Sequence, residues 1–467
     1  MTEVSAHRQT LDDAQNMLPV ERRAAASLAL VYSVRMFGLF IILPVFSLYA
    51  SDYEGATPML LGLALGIYGL FQALLQLPFG FLSDRIGRKP VILAGLTLFF
   101  LGSVVAACAD SIGALIFGRA LQGSGAIAAA IMALAADLTR EQHRTKMMAS
   151  LGASIGVAFM VSLVAGPVLV RWLGLSGLFW LTGAAAVLGM LIVQFRVPTP
   201  VQARAGKESR ASVPQMLQLL RDRQLLRLDA GIFLLHMMVS ATFLGVPLSL
   251  AASGLAGSGH WQVYLPALLI SIAVMVPAVI LAEKYGHLRR IFLIAVSGLA
   301  LAQCLLVAGE SRHSTLWLFA AVTVFFSFFN TLEALLPSLV SKLAPVTGRG
   351  SAMGVYSASQ FLGAFAGGVA GGALYASLGI VGLYYCAAAA ALLWLLIARG
   401  MRAPQGVTTQ LVHVGELSEA AAAELAGRLS ALPGVTEAVL VSEEGVAYLR
   451  VDRQQFDRSS LSTLGLS

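Results

Sequence analysis

Charge is scarce in this chain. Only 12% of its 467 residues are Asp, Glu, Lys or Arg, while 58% are hydrophobic and the mean hydropathy is +0.80. A water-soluble protein of this length carries about twice that share of charge, so most of the chain is expected to face lipid or other apolar helices. Cysteine is scarcer still. Cys108, Cys304 and Cys386 each lie inside an apolar run, and no pair has metal-ligand spacing. That excludes a bound structural metal and predicts three small buried hydrophobes. There is no Ser-His-Asp set, metal-ligand cluster or phosphate-binding loop, which argues against an enzyme and implies no cofactor. The polar first 23 residues lack the short apolar core of a cleaved signal, so the first apolar run is expected to stay as a spanning helix.

Long apolar runs are what the chain has in abundance. About 20 apolar residues cross the hydrocarbon as a helix, because the backbone must satisfy its own hydrogen bonds there. Twelve such runs can be traced: 24–50, 59–81, 90–109, 112–137, 147–171, 175–195, 226–251, 262–283, 288–308, 314–341, 350–377 and 380–399. An even number leaves both chain ends on one side of the lipid bilayer. The N-terminal tail, the turns after even-numbered spans, the central loop and the exit of the last span carry 23 Arg and Lys, whereas the opposite turns carry only Arg171 and Arg312. This asymmetry predicts a bacterial-type inner membrane protein with both termini in the cytoplasm. The net charge of +7 is then topogenic and does not indicate nucleic acid as a partner.

The organisation expected is a tail over 1–23, a six-helix half over 24–195, a linker over 196–225, a second half over 226–400 and a small domain over 410–464. The halves repeat weakly. "GPVLVRWLGLSGLFW" from Gly166 matches "GGALYASLGIVGLYY" from Gly371, and "SDRIGR" from Ser83 has an eroded counterpart in "AEKYGH" from Ala282. In the second pair Glu283 stands for Asp84 and Gly286 for Gly87. Duplicated halves suit alternating access, in which two bundles rock about a site held between them.

"GFLSDRIGRKP" (Gly80–Pro90), "RALQGSGA" (Arg119–Ala126) and Gly166-Pro167 in the fifth span resemble the motifs of the major facilitator superfamily over about 24–400. "SVRMFGLFIILPVFSLYA" in the first span, with the small C-terminal domain, most resembles its YajR-type branch. The fifth-span motif departs from the antiporter pattern at Val170 and Arg171, where the family has glycines. The resemblance implies an all-α membrane protein, a twelve-helix bundle of two six-helix halves with a small α+β ferredoxin-like domain appended. It implies a latch made of Gly80, Asp84, Gly87, Arg88 and Asp137. In that latch Asp84 faces the start of the eleventh helix near Gly350–Gly354, Gly80 permits the approach, and Arg88 pairs with Asp137. A bare positive-inside hairpin is the alternative for these charges.

Ionisable groups within spans cost roughly 2.5–3.5 kcal/mol on insertion scales, so each calls for a reason. Arg35, Arg119, His236 and Glu333 are the four candidates. Glu333 lies deep in "FFSFFNTLEALLP"; desolvation favours the neutral form of a carboxyl, and a carboxyl that takes up a proton is what proton coupling requires. A structural ion pair, for instance with Arg35, is the alternative. Arg119 matches the family's fourth-helix arginine, associated with proton transfer. Gln122 in the same motif, Asn330 and Gln360 are polar cavity candidates. Phe325, Phe326, Phe328 and Phe329 fit lipid-facing or core packing better than a substrate cage.

Beyond Arg402 the pattern reads strand (410–414), helix capped by Ser418, two strands and a short helix from about Arg453, a ferredoxin-like order without its last strand. It resembles heavy-metal-associated domains distantly, but "HVGELS" holds no Cys-x-x-Cys. Copper binding is therefore not expected. Ligand sensing and self-association through this domain both stay open. The reading as a whole is a proton-coupled exporter of a small organic substrate, with protons as the driving ion. The alternatives are a symporter or uniporter, or a membrane sensor read by the C-terminal domain.

Overall fold

The computed structural model describes residues 17–199, 220–345, 348–401, 407–415, 419–441, 445–452, 455–457 and 460–461. Helix α1 spans Pro19–Phe40 and gives way at 41–45 to a single helical turn, Phe46–Tyr49. Helix α2 (Pro58–Ile86) starts where Thr57 Oγ1 accepts from the Leu60 amide at 3.3 Å, a side-chain cap for an otherwise unpaired donor. Gly87, at φ +101°, turns the chain directly into α3 (Arg88–Ala107). Helix α4 comes in two pieces, Ile112–Ser124 and Ala128–Asp137. Glu141–Phe195 has one non-helical residue, Gly174 at φ 66° and ψ 179°, a conformation open essentially to glycine alone. It divides α5 (141–173) from α6 (175–195).

The second half follows the same plan. Helix α7 (Arg223–Ala252) is capped by Asp222, whose Oδ1 accepts from the amides of Gln224 and Leu225. It is followed by α8 (Trp261–Glu283), α9 (Leu288–Ser311) and α10 (Thr315–Leu343). Arg349–Arg399 breaks at Gly379, φ 70° and ψ −176°, into α11 (349–378) and α12 (380–399). Ten helical segments are long and apolar enough to span a bilayer; with two of them divided in two, at Gly174 and Gly379, the described residues supply the twelve expected spans. The repeat is now visible in the backbone. Gly174 and Gly379 are 205 positions apart and share one rare conformation. At the same offset, a Cβ on Gly177 would strike Leu173 as one on Gly382 would strike Leu378. Gly87 and Gly286 both turn their hairpins at positive φ.

Every side-chain hydrogen bond and ion pair seen between described residues of the bundle stays within its own half. The halves meet instead through glycine and aromatic contacts. A Cβ on Gly62 would run into the carbonyl of Gly368, one on Gly66 would lie 2.7 Å from the carbonyl oxygen of Phe365, and one on Gly69 2.5 Å from that of Phe361. Helix α11 thus lies backbone to backbone along α2. Its other face does the same to α7, where Gly363 and Gly367 abut the carbonyls of Phe233 and Met237. Small residues that let backbones approach are how helices associate where lipid removes the hydrophobic drive.

The appended domain is a three-stranded antiparallel sheet in the order β1-β3-β2, from β1 (Val407–His413), β2 (Val435–Val441) and β3 (Val446–Asp452), with α13 (Glu419–Ser430) between the first two strands. Val412, Leu429, Ala447, Leu449, Val451 and Leu461 form its core. The Ser418 cap, and most of the helix expected from Arg453, lie outside the described residues. The cysteines depart from expectation: Cys108 and Cys304 are exposed and Cys386 is half-buried. On a helix facing lipid an apolar thiol has no need of protein cover, so an apolar run does not imply a protein interior.

Candidate functional site

At the Arg- and Lys-rich end, Arg88 Nη1 pairs with Asp84, Arg88 Nε lies 3.1 Å from Asp137 Oδ2, and Nη1 also donates to Ser83 Oγ at 2.8 Å. The guanidinium therefore ties the α2–α3 turn to the end of α4. The second half repeats the device with other residues: Lys342 on α10 pairs with Glu283 at the end of α8, which accepts from Ser338 Oγ at 2.7 Å. Among the described residues, Asp84 makes no hydrogen bond or ion pair with the start of α11, the contact expected of it. The nearest neighbour of a Cβ on Gly80 is Ala129 of α4, one on Gly350 meets nothing within 4 Å, and one on Gly354 would lie 3.5 Å from Leu77 of α2. A full opposite charge four residues away across Gly87 outcompetes the partial charge of a helix terminus. Glu21, which the sequence reading passed over, holds Arg140 through both carboxylate oxygens at 3.0 Å and binds α1 to the start of α5.

Inside the first half lies a polar cluster. Arg35 Nη2 donates to Gln72 and, at 2.9 Å, to the carbonyl of Gly125. That carbonyl sits at the break in α4, where it also accepts from the Ile127 amide at 2.9 Å in place of an α-helical partner. Arg119 Nη1 donates to Gln122 Oε1 at 3.0 Å and its Nε reaches the Ala64 carbonyl at 3.4 Å. Gln122 passes the chain on to Ser103 Oγ at 2.8 Å, which also receives Thr182 at 3.2 Å. The Tyr68 ring lies between the two guanidiniums, 5.9 Å from Arg35 Cζ and 5.1 Å from Arg119 Cζ. The "RALQGSGA" residues divide the work: Arg119 and Gln122 supply polarity, while Gly123 and Gly125 let α4 touch the backbones of Tyr68 and Gly95. Gly166 does the same for the α5–α1 contact, where a Cβ would lie 2.5 Å from the Ile41 carbonyl, with Pro167 following it.

The second half holds the acids. His236 Nδ1 lies 3.5 Å from Glu333 Oε1, and its Nε2 is 2.8 Å from the Gln360 amide nitrogen. With that amide donating, His236 carries its own proton on Nδ1, facing Glu333. Glu333 Oε1 is buried without a hydrogen bond, although the residue as a whole is only half-buried. Glu333 thus neighbours His236 and not Arg35. Asn330 donates to Ser271 Oγ at 2.9 Å, within the same half. The buried hydroxyl of Tyr356 has no partner and lies within electrostatic reach of both Glu333 and Asp229. Asp229 is seven residues before His236 and so on the same face of α7.

The aromatic residues form packed core and not a lipid-facing surface. Phe325, Phe326 and Phe329 are buried, and Phe328 covers Gly298. Phe40 and Phe159 of the first half meet them: Phe159 lies 4.9 Å from Phe40, 5.9 Å from Phe326 and 6.1 Å from Phe329. Phe329 in turn lies 6.0 Å from His236. Tyr68, Gln72, Gln76 and Asp229 are the residues the sequence reading missed. Gln72 and Gln76, one turn apart in an otherwise apolar run, were the available signal.

A family profile described as Major Facilitator Superfamily matches residues 28–279 and 230–416, and one described as YajR YAM domain matches 416–464. The chain is 42% identical over 443 residues to the inner membrane transport protein YajR of Escherichia coli K12, covering 95% of this chain and 97% of that one. It is 35% identical over 349 residues to an uncharacterized transporter of Buchnera aphidicola, covering 74% and 89%. Among solved structures, a bacterial homologue of the human lysosomal transporter Spinster, in an inward-facing and occupied conformation, superimposes with a TM-score of 0.67 at 14% identity over 82% of this chain and 96% of that one. The human organic anion transporter MFSD10 gives 0.61 at 18%, covering 82% and 100%. At those identities the likeness speaks for the fold alone.

Proposed function

Because this chain belongs to the Major Facilitator Superfamily, we propose that it exports a small organic compound by alternating access, driven by protons moving inward. It is a multi-pass inner membrane transporter and not an enzyme. The observation that carries the proton reading is Glu333, a carboxyl within a span whose neighbour His236 is itself ionisable and whose Oε1 has no fixed hydrogen bond to a described residue. A carboxyl locked in a structural pair would be fully bonded; this one is free to gain and lose a proton as the halves move. The seam without polar bonds supports rocking, since no hydrogen bond or ion pair between described residues has to break when the halves separate. On this reading, the interhalf contact of Asp84 forms in another state of the cycle, reached when Arg88 releases it.

Everted inner-membrane vesicles test the export reading. Energised vesicles holding the full chain should accumulate a carried compound, and a protonophore should discharge it within the same trace. Equilibration without accumulation, unaffected by the protonophore, would replace the antiporter by a uniporter. The orientation is tested separately. In a cysteine-free background, a cysteine introduced at Gly206 should react with an impermeant maleimide only after the cells are permeabilised; labelling of intact cells would reverse the topology.

A further inference from the structure

Two guanidinium groups are buried in the first half with no acid beside them. Arg35 and Arg119 are each 1% exposed, and neither forms an ion pair with any described residue. Their partners are all neutral: two glutamine side chains, two backbone carbonyls and the face of Tyr68. Arg35 Nε and Nη1 are wholly buried with no hydrogen bond to any described residue, and so is the Tyr68 hydroxyl. Buried cations are ordinarily matched by a carboxylate. The buried acid of the first half, Glu21, is already held by Arg140, and the half-buried Glu333 and Asp229 lie in the other half, near His236 and Tyr356. The cluster lies against that half: Phe361 of α11 packs on the group formed by Tyr68, Phe99 and Ala186, and Gly69, next to Tyr68, abuts the Phe361 carbonyl.

We propose that the carried compound is a small organic anion, a carboxylate, sulfonate or phosphate ester, whose oxygens engage Arg35 and Arg119 with Tyr68 between them. A planar guanidinium with three free N–H bonds fits an oxyanion better than any neutral acceptor. The proposal rests on the transport reading above but not on proton coupling. Exchanging an outgoing anion for an incoming proton moves positive charge inward on both legs, so the membrane potential adds to the pH gradient.

The test is binding, which needs no gradient. Full-length protein in neutral maltoside detergent is titrated with benzoate, benzenesulfonate and phenyl phosphate, and with benzamide and benzylammonium as neutral and cationic analogues, reading the thermal unfolding midpoint. At least one anion should raise the midpoint while the two analogues do not. Arg35→Gln and Arg119→Gln should each weaken that anion at least about tenfold, the scale of one lost charge-assisted hydrogen bond. Arg35→Lys, which keeps the charge for folding, should recover part of it. Equal response to benzamide, unchanged anion affinity in both glutamine variants, or no response to any of the three anions overturns the proposal. Phosphatidylglycerol that displaces the anion would assign the donors to a lipid headgroup and likewise overturn it. Anion binding with transport indifferent to a protonophore would sink the coupling and leave this inference standing.

Discussion

Glu333→Gln should leave the bundle folded and reduce transport driven by a pH gradient by about two orders of magnitude, the scale over which a positioned proton-transfer group acts. The amide copies the size and neutrality of the protonated acid. Because Glu333 Oε1 has no hydrogen bond to lose and the residue is half-buried, the substitution should cost under about 1 kcal/mol. Exchange of labelled for unlabelled compound, which requires no net proton movement, should persist. Reconstituted vesicles separate the two: counterflow at constant pH reports exchange, and uptake against an imposed gradient reports coupling. A variant that fails to fold would place Glu333 in a structural pair with His236. One that keeps gradient-driven transport with unchanged pH dependence would move the coupling elsewhere, with Arg119, Asp137 and Asp229 the groups to vary next.

Gly66→Leu should disable transport at least about tenfold while both halves stay folded. A Cβ at Gly66 already lies 2.7 Å from the carbonyl oxygen and 3.1 Å from the Cα of Phe365. Both are backbone atoms that cannot rotate out of the way as a side chain would. Overpacking of this kind costs about 1–3 kcal/mol when absorbed internally. Here the halves share no polar bond among described residues, so separating them at this end is the cheaper response. Spin labels at Ser51 and Ser377, both exposed, should move apart by several ångströms, with unchanged helical circular dichroism. Gly156→Ala is the control, since a Cβ there meets nothing within 4 Å, and it should transport normally. An unchanged label distance in Gly66→Leu would mean the seam yields locally and does not set the approach of the halves.

Spans, their number and the repeat were determined by the sequence itself. Apolar length dictates a helix in lipid, because no other spanning backbone satisfies its own donors and acceptors. The glycines that break α5–α6 and α11–α12 could be aligned by offset alone. The chemistry around Arg88 was legible for a similar reason: Asp84 and Arg88 are one turn apart in sequence and meet locally. What sequence could not supply was which distant groups pair. A structural pair of Glu333 with Arg35 was one alternative the sequence left open, yet the two sit in different halves, each with neighbours of its own. Arg35 donates to Gln72 and to the Gly125 carbonyl at the break in α4, and Glu333 lies beside His236. A hydrophobic run records how far a residue is from the membrane surface and not which way its side chain points around the helix. Whether Cys304 faces lipid, whether Tyr68 lies between two arginines, and whether Asp84 reaches α11 or turns back to Arg88 are decided by rotation and close approach between helices. Those depend on glycines more than 300 positions apart, Gly62 against Gly368, and only the folded bundle brings them together.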